Sequence, residues 1–521
     1  MNNARCCAAQ ARAARAGPPA APASAPPCPD ARQPATETGT LSSETPPAAV
    51  PAPRAPDYRL ISLILACAIF MEQLDATVLA AALPTLARDF GVAAPAMSIA
   101  LTSYLLALAI GIPASGAIAD RFGLRRVYCA SIWMFVGSSI LCSLATDLPT
   151  MVVARFVQGA GGAMMAPLGR LILLRSVERR HLVSAMAWTL VPAFVGPMLG
   201  PPLGGLFVTY LDWRWIFYIN VPIGIAGFFL VRRFIAELPT ESAPARFDFI
   251  GFALCGVALG CGLFGLEMVS QRDGLVHAAL LTGTGAAAAL GYLWHARRHP
   301  APLLDLSLLK IDSFRLSVIG GSLMRVTQGA HPFLLPLLFQ IGFGYSAARS
   351  GQLVMATALG ALLMRVLTPR LLRRYGYRNA LIGNGVFASL GYLVCAFFQP
   401  GWPPLLVFGL LACCGAFMSF QFAAYNTIAY EQVPGPRMSA ASSLYTTLQQ
   451  LMLSVGVCAG ALFLKTSMAV AGHAEPQLRD FSIAFLAVTL ISFASLRWHL
   501  LFAPDAGQEM SGHRPAESSA P

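Results

Sequence analysis

Glu72 and Asp75 stand three residues apart in one long apolar run, so they share a helix face. A charge at the centre of a bilayer costs about 2.5–3.5 kcal/mol on insertion scales, which makes each such residue a candidate for function. Asp75 is the first candidate for proton chemistry. Dry surroundings favour a protonated carboxyl group, and a neighbouring cation favours an ionised one. A site that alternates between the two loads a proton on one side of a membrane and releases it on the other. The competing reading is a structural acid paired permanently with an arginine. Two close carboxylates do not easily both ionise. Glu72 is therefore either a second proton site or cation-recognition point, or a neutral side chain that hydrogen-bonds or snorkels. Arg155 and Gln158 share a face of another apolar run; they complete such a network, or Arg155 merely ties two helices together. Further along, Arg325, Gln328 and His331 repeat at three-residue spacing and form one polar stripe. With Gln158, that stripe is expected to line a substrate cavity. His331 is a candidate for coupling because imidazole is the side chain suited to proton exchange near neutral pH, although a histidine beside Pro332 also serves as a packing residue. Phe70, Phe333, Phe339, Phe420 and Tyr425 fit a cavity wall or a packed core equally well. Glu267 and Glu431 fall at the ends of apolar runs, where a solvated carboxylate is expected. His295 and His299 have metal-ligand spacing, but they flank Arg297 and Arg298, so a basic solvated turn is expected and no metal site.

The elements that must position these groups follow from composition. The chain has 521 residues, of which 56% are hydrophobic and 12% charged, against about 25% charged in a soluble domain. That leaves an all-α polytopic membrane protein and excludes a soluble enzyme, a coiled coil and a nucleic-acid binder. A helix needs about 20 residues to cross a bilayer, and the apolar runs supply fourteen spans between polar tails at 1–57 and 504–521. Residues 58–240 hold six spans and 301–503 another six; 241–300 hold an inserted pair near 249–269 and 276–294. The turns expected inside collect Arg121, Arg125, Arg126, Arg175, Arg179, Arg180, Arg232, Arg233, Arg246, Arg373 and Arg374, among others. The outer loops hold only Arg88, Arg214, Arg272, Arg349, Lys465 and Arg479. The positive-inside rule then places both termini in the cytoplasm and accounts for the net charge of +12 as a membrane-orientation signal. The segment Pro302–Phe314 alternates apolar and charged residues and is expected to lie along the inner surface as a linker. The two lysines, Lys310 and Lys465, each follow leucine, so no phosphate-cradling Gly-Lys-Ser/Thr loop exists. Uphill movement must then draw on an ion gradient or a partner chain. The cysteines form no C-x-x-C pair, so metal or disulfide work is not expected of them. No cofactor is expected either.

Five motifs carry a resemblance. Gly116-Ala-Ile-Ala-Asp120-Arg121-Phe-Gly123-Leu-Arg125-Arg126 reads as a charged latch. Gly116 would let two helices pack closely, and Asp120 would pair with an arginine or cap a helix. A similar basic turn recurs at Thr368–Arg378, a weak internal repeat of the kind common in secondary transporters. The latch resembles the G-x-x-x-D-R-x-G-x-R/K-R/K motif of the major facilitator superfamily. Arg155-Phe-Val-Gln158-Gly159-Ala-Gly161-Gly162 resembles its fourth-span motif. Gly196-Pro197-Met-Leu-Gly200-Pro201-Pro202-Leu-Gly204-Gly205 resembles the fifth-span motif of its proton-driven antiporters. The runs Leu74–Pro84 and Trp213–Gly224 are similar to motifs of its fourteen-span drug:proton antiporter-2 family. Gly162–Leu171 and Pro332-Phe333 followed by Gln340–Tyr345 bring the multidrug resistance protein D branch nearest. That branch usually has Gln at Glu72, Asn at Ala80 and a basic residue at Leu124.

The resemblance covers about residues 60–500 and implies the two-halved major facilitator fold. It implies proton coupling at Asp75, with Arg155 linked to proton transfer and Glu72 as an extra acid. It also implies an antiporter role for the Gly-Pro helix and export of small amphipathic or drug-like molecules across a bacterial inner membrane. Uptake by a symporter or facilitator of the same fold and a non-transporting receptor are the competing expectations. The expected partners are substrate, protons and lipid; nothing in the sequence supports a periplasmic adaptor.

Overall fold

In the computed structural model, residues 58–178, 181–237, 247–268, 275–300 and 302–511 are described. The expected tail at 1–57, the end of the expected tail at 512–521, the boundaries near 240 and 301, and Arg179, Arg180, Arg246 and Arg272 lie outside them. The described chain is helical nearly throughout. Helices α1 (Tyr58–Asp89), α2 (Ser98–Phe122), α3 (Leu124–Ser143), α4 (Leu148–Ser176), α5 (Leu182–Tyr210) and α6 (Trp215–Phe234) form one half. Helices α7 (Phe249–Met268) and α8 (Leu275–Arg298) are the inserted pair. The second half holds α9 (Asp312–Leu337), α10 (347–375), α11 (377–395), α12 (Pro404–Ile428), α13 (Met438–Ala471) and α14 (Leu478–His499).

Among the described residues, eleven helical stretches are long and apolar enough to cross a membrane. Helices α5 and α9 join them, and the stretch Ala347–Cys395 counts twice because Gly376 interrupts it. The chain therefore has the fourteen-helix architecture read from its apolar runs. Two of its turns are reduced to a single residue. Gly123 (φ 92°) separates α2 from α3, and Gly376 (φ 72°) separates α10 from α11. Positive φ is the region glycine enters without Cβ strain, which explains why both copies of the internal repeat keep a glycine there. Helix α4 begins at Asp147, whose carboxylate accepts the Thr150 amide at 2.8 Å, an N-cap that satisfies an otherwise orphaned donor.

In the first half α1 packs on α5 and α2 on α4; in the second α10 and α11 pack on α12, and α9 packs on α13. The halves meet through α5 against α10 and α2 against α13. Those contacts concentrate near the membrane face opposite the arginine-rich turns. There the Ala348 amide donates to Thr209 Oγ1 at 3.0 Å and Gln340 Nε2 donates to the Ala81 carbonyl at 2.9 Å. A Cβ at Gly205 would strike the Ala347 backbone, and one at Gly351 the backbone of Pro201. A continuous apolar cluster from Val78 and Leu83 to Phe333 and Leu464 seals this face.

The inserted helix α7 packs on both α2 and α13, whereas α8 packs on α7 and leaves most of its own surface outward. Glu267, expected to be solvated, is instead 6% exposed. It accepts from Ser98 Oγ at 2.8 Å and pairs with Lys465 Nζ at 3.3 Å, because α7 ends in the groove between α2 and α13. Lys465, expected in an outer loop, lies within α13. At the other end of the pair, Asp248 caps α7 through the Gly251 amide (2.8 Å) and meets His295 Nε2 at 2.7 Å. His299 stands beside His295, their ring centroids 5.1 Å apart.

The linker after α8 forms a short 3₁₀ turn, Leu306–Lys310, capped by Asp305 and tied to Arg437 at 2.6 Å. The expected C-terminal tail stays on the body through Ser511. Its Gly507 amide donates to Glu431 Oε1 at 2.5 Å, so Glu431 is not a freely solvated carboxylate either.

Candidate functional site

Asp75 is at the midpoint of α1 and has no exposed surface. Arg155 Nη1 of α4 donates to its Oδ2 at 2.5 Å. Gln158 Nε2, one turn along α4, donates to Oδ1 at 2.9 Å, and Asn220 Nδ2 of α6 donates to the same oxygen at 2.9 Å. Ser139 Oγ of α3 accepts from Gln158 at 2.7 Å and from Asn220 at 3.3 Å. Arg155 Nη1 also donates to Gln158 Oε1 at 2.7 Å, and its guanidinium lies over the Tyr104 ring of α2, 4.4 Å from the centroid. Five helices therefore converge on one carboxylate. Two side-chain amides and a guanidinium suit an ionised, acceptor-only group. Nε and Nη2 of Arg155 have no hydrogen-bond partner among the described residues, so the ion pair with Asp75 is the main compensation for that buried charge.

Gln158, expected on the cavity wall, is thus a member of this closed cluster. Asn220 and Ser139 were not singled out from the sequence. The signal available for Asn220 was its position as the amide of an otherwise apolar helix within the Trp213–Gly224 motif. Ser139 gave none, being one of several serines on α3.

Glu72 lies one turn before Asp75 and is 7% exposed. Its Cγ comes within 3.6 Å of the place a Cβ would occupy at Gly162 of α4, and Tyr104 Oη is close to the same spot. Glu72 Oε2 has no hydrogen-bond partner among the described residues.

The Gly-Pro helix α5 lies directly against the helix that carries Asp75. A Cβ at Gly196 would meet the Leu74 amide at 3.0 Å; those at Gly200 and Gly204 would run into Thr77 and Val78. Gly205 turns to the other side and meets α10 of the second half. One helix thus touches both the acid-bearing helix and the opposite half.

A cavity of about 310 Å³ lies between the halves, within the range of small-molecule sites. Thr77 and Ala80 of α1, Pro197 and Pro201 of α5, Gln328 and His331 of α9, Arg365 of α10, and Met418 and Phe422 of α12 line it. Arg325 does not. It turns to α13, where Tyr445 Oη accepts at 2.8 Å and Gln449 Oε1 at 3.3 Å. Phe333, Phe339, Phe420 and Tyr425 are core residues, each at most 1% exposed.

The latch residues are at the turn between α2 and α3. Arg126 pairs with Glu237 at 2.7 Å, and Arg125 donates to the Ile235 carbonyl at 2.9 Å, so both hold the end of α6 in their own half. Arg121 is exposed. The close packing expected at Gly116 is absent, since a Cβ there would meet nothing within 4 Å. Asp120 has no ion pair among the described residues. Among the described residues, the close contacts of α5 with α10 and of α2 with α13 lie towards the other ends of these helices.

The sequence profile of the Major Facilitator Superfamily matches residues 65–457. Relatives from Salmonella typhimurium (strain LT2) and Salmonella newport (strain SL254) are each named "Putative multidrug resistance protein MdtD". They are 35% identical to this chain over 409 and 405 residues, covering 77% of it and 85% of each relative. Among solved structures, a D-xylose-proton symporter superposes with a TM-score of 0.62 at 14% identity, covering 86% of this chain and 98% of its own. The nucleoside transporter NupG does so with 0.57 at 15%, covering 86% and 100%. At such identities these two speak to the fold alone. Profile, relatives and fold agree over most of the chain: it belongs to the Major Facilitator Superfamily, and it is a transporter rather than an enzyme.

Proposed function

We propose that the protein exports small amphipathic or drug-like molecules in exchange for protons, by alternating access across a bacterial inner membrane with both termini in the cytoplasm. The observation that carries the reading is the closed cluster of Asp75, Arg155, Gln158 and Asn220 behind α5. In the described conformation Asp75 has no exposure, so a proton reaches it only after the helices around it move. Protonation removes the counter-charge of a buried arginine. An uncompensated buried charge costs several kcal/mol, so the loaded state favours a different packing of α1, α4 and α6. Helix α5 lies against α1 through Gly196, Gly200 and Gly204 and against α10 through Gly205, and it passes that change to the contact between the halves.

The arrangement of contacts supports an inward-facing state, with the halves closed on the outer side and the latch at Gly116 and Asp120 disengaged. In the outward-facing state the latch residues Gly116, Asp120, Arg121 and Gly123 would meet the second half, while Arg125 and Arg126 keep α6 in place. Gln328 and His331 contact substrate in the cavity. Glu72 serves as a second proton site, because a carboxyl group that carries its proton there avoids burying an unpartnered charge. The chain divides near residues 240 and 300 into two six-helix bundles and an inserted pair. The MdtD name of the relatives supports multidrug export as the activity.

The test is reconstitution in liposomes that contain a pH-sensitive dye, under an imposed proton gradient, with a panel of lipophilic cations and other drugs. Substrate-dependent proton movement that runs opposite to substrate and disappears in Asp75→Asn is the expected result. Proton movement in the same direction as substrate identifies a symporter and overturns the export reading. Transport without proton movement overturns the coupling.

A further inference from the structure

A second polar cluster lies at one end of the inserted pair and takes no part in the proton chemistry above. His295 and His299 are four residues apart, and the His299 amide donates to the His295 carbonyl at 2.9 Å, so the last turn of α8 carries both imidazoles on one face. Asp248, the residue before α7, meets them there. The ligand atoms of Asp248, His295 and His299 all lie within 4.8 Å of one another. Asp248 is 6% exposed and both histidines are half-buried, so the turn expected to be merely basic and solvated holds a partly buried cluster. Arg297 is two residues from each histidine, on the opposite face of the turn. The Arg298 guanidinium lies over the Trp294 ring, 4.0 Å from its centroid.

We propose that Asp248, His295 and His299 form a binding site for a divalent transition-metal ion, with Zn(II) the favoured member. Zinc–nitrogen and zinc–oxygen bonds of about 2.0–2.2 Å at tetrahedral angles place neighbouring ligand atoms about 3.3–3.5 Å apart. His295 Nε2 and Asp248 Oδ1, hydrogen-bonded at 2.7 Å, separate by roughly 0.6 Å to admit the ion. The carboxylate is already aimed, because the Gly251 amide donates to Oδ1 at 2.8 Å and the Leu303 amide to Oδ2 at 3.2 Å. Metal-binding carboxylates carry outer hydrogen bonds of this kind. Two imidazoles and one carboxylate are the donor set of open zinc sites, which keep water or another ligand in the fourth position. The half-buried histidines leave that position within reach of solvent. The set contains no sulfur, so it does not favour Cu(I). Without an ion, the hydrogen bond between Asp248 and His295 holds the same groups together. A bound ion ties the start of α7 to the end of α8 and, through the Leu303 amide, to the linker that leads into the second half. The site does not depend on proton coupling at Asp75.

The probe is Zn(II) held by a coloured chelator and offered to the full-length protein in detergent, purified without a polyhistidine tag, with loss of the chelate absorbance as the readout. Cys6, Cys7 and Cys28 are replaced by serine in the reference protein, which removes the N-terminal thiols. The reference protein should take up one Zn(II) per chain. His295→Gln, and separately His299→Gln, should weaken that uptake at least tenfold. His277→Gln, at the far end of α8, should leave it unchanged. X-ray absorption of the loaded reference protein should show nitrogen and oxygen ligands near about 2.0 Å, outer scattering from two imidazoles, and no sulfur near about 2.3 Å. This spectrum keeps the proposal open to refutation if a variant fails to fold. No competitive uptake by the reference protein, unchanged uptake in His299→Gln, uptake that depends on His277 instead, or a shell that contains sulfur would each overturn the assignment.

Discussion

Asp75→Asn is the perturbation that separates proton coupling from structural support. Asparagine has the same shape and keeps one oxygen to accept from Gln158 and Asn220, both at 2.9 Å in the native protein. Its amide nitrogen would then face Arg155 Nη1, donor against donor, where the carboxylate oxygen lies at 2.5 Å. Removing one partner of a buried ion pair costs about 3–5 kcal/mol, because the remaining charge stays desolvated. Arg155 has no exposed surface, so the full effect is expected. Adding Arg155→Gln removes the stranded charge, and replacing both members of a buried pair is often close to neutral. The double variant should therefore recover most of the stability lost by Asp75→Asn, with a coupling energy of about 2–4 kcal/mol in the cycle. Denaturant unfolding in mixed micelles gives the stabilities, and the liposome assay gives the transport. Both variants should show no substrate-driven proton movement above protein-free liposomes. Two results would refute the reasoning: a cost below about 1 kcal/mol for Asp75→Asn, or a double variant that regains coupled transport along with stability. The second would leave Asp75 as a structural partner of Arg155 and nothing more.

Other outcomes follow from single contacts. Gly205→Ala places a methyl group against the Ala347 backbone at the contact between the halves. Overpacking of about 1–3 kcal/mol should shift the conformers toward the outward-facing state, read as a longer distance between labels at the exposed Arg88 and Arg349; an unchanged distance rejects it. Glu267→Gln removes the charge that pairs with Lys465 at 3.3 Å. It should destabilise by about 3 kcal/mol in denaturant unfolding, with recovery in Glu267→Gln/Lys465→Met; no cost would mean the pair is idle. Burial raises the carboxyl pKa of Asp248, but hydrogen bonds from the Gly251 amide, His295 and the Leu303 amide outweigh it and hold the value below the ordinary 3.8. That stabilisation is fully present above the unfolded-state value and fades as pH falls through the lower folded-state one. Hydrogen exchange at the Gly251 amide should accelerate below about pH 4, and Asp248→Asn should flatten the response.

Helix number, the inserted pair and the acid–arginine pairing were legible because each leaves a local mark: an apolar run, a Gly-bearing turn, or a charge where none is tolerated. Partners from distant helices leave no such mark. Glu267 read as a solvated end because its run stops there, and only the packing of α7 between α2 and α13 reveals Lys465 and Ser98 beside it. Arg325 shares a stripe with Gln328 and His331, but the stripe is broad enough for one member to turn to α13 while the others face the cavity. Gly116 shows a different limit. Its motif leads one to expect a close helix neighbour, and in this structure a Cβ there would meet nothing within 4 Å.

The buried acid cluster lies wholly in the first bundle, whereas the histidine, glutamine and sulfur side chains that face the cavity come from the second. The two bundles share a single-glycine turn, at Gly123 and Gly376, but not their buried polar groups. On the proposed function, the first bundle carries the proton chemistry, and the second supplies most of the polar side chains of the cavity wall. Such an architecture can acquire new cargoes by mutation in one bundle without disturbing its power supply. A chimera that joins the first bundle of this protein to the second bundle of a relative should inherit its driving force from one parent and its selectivity from the other.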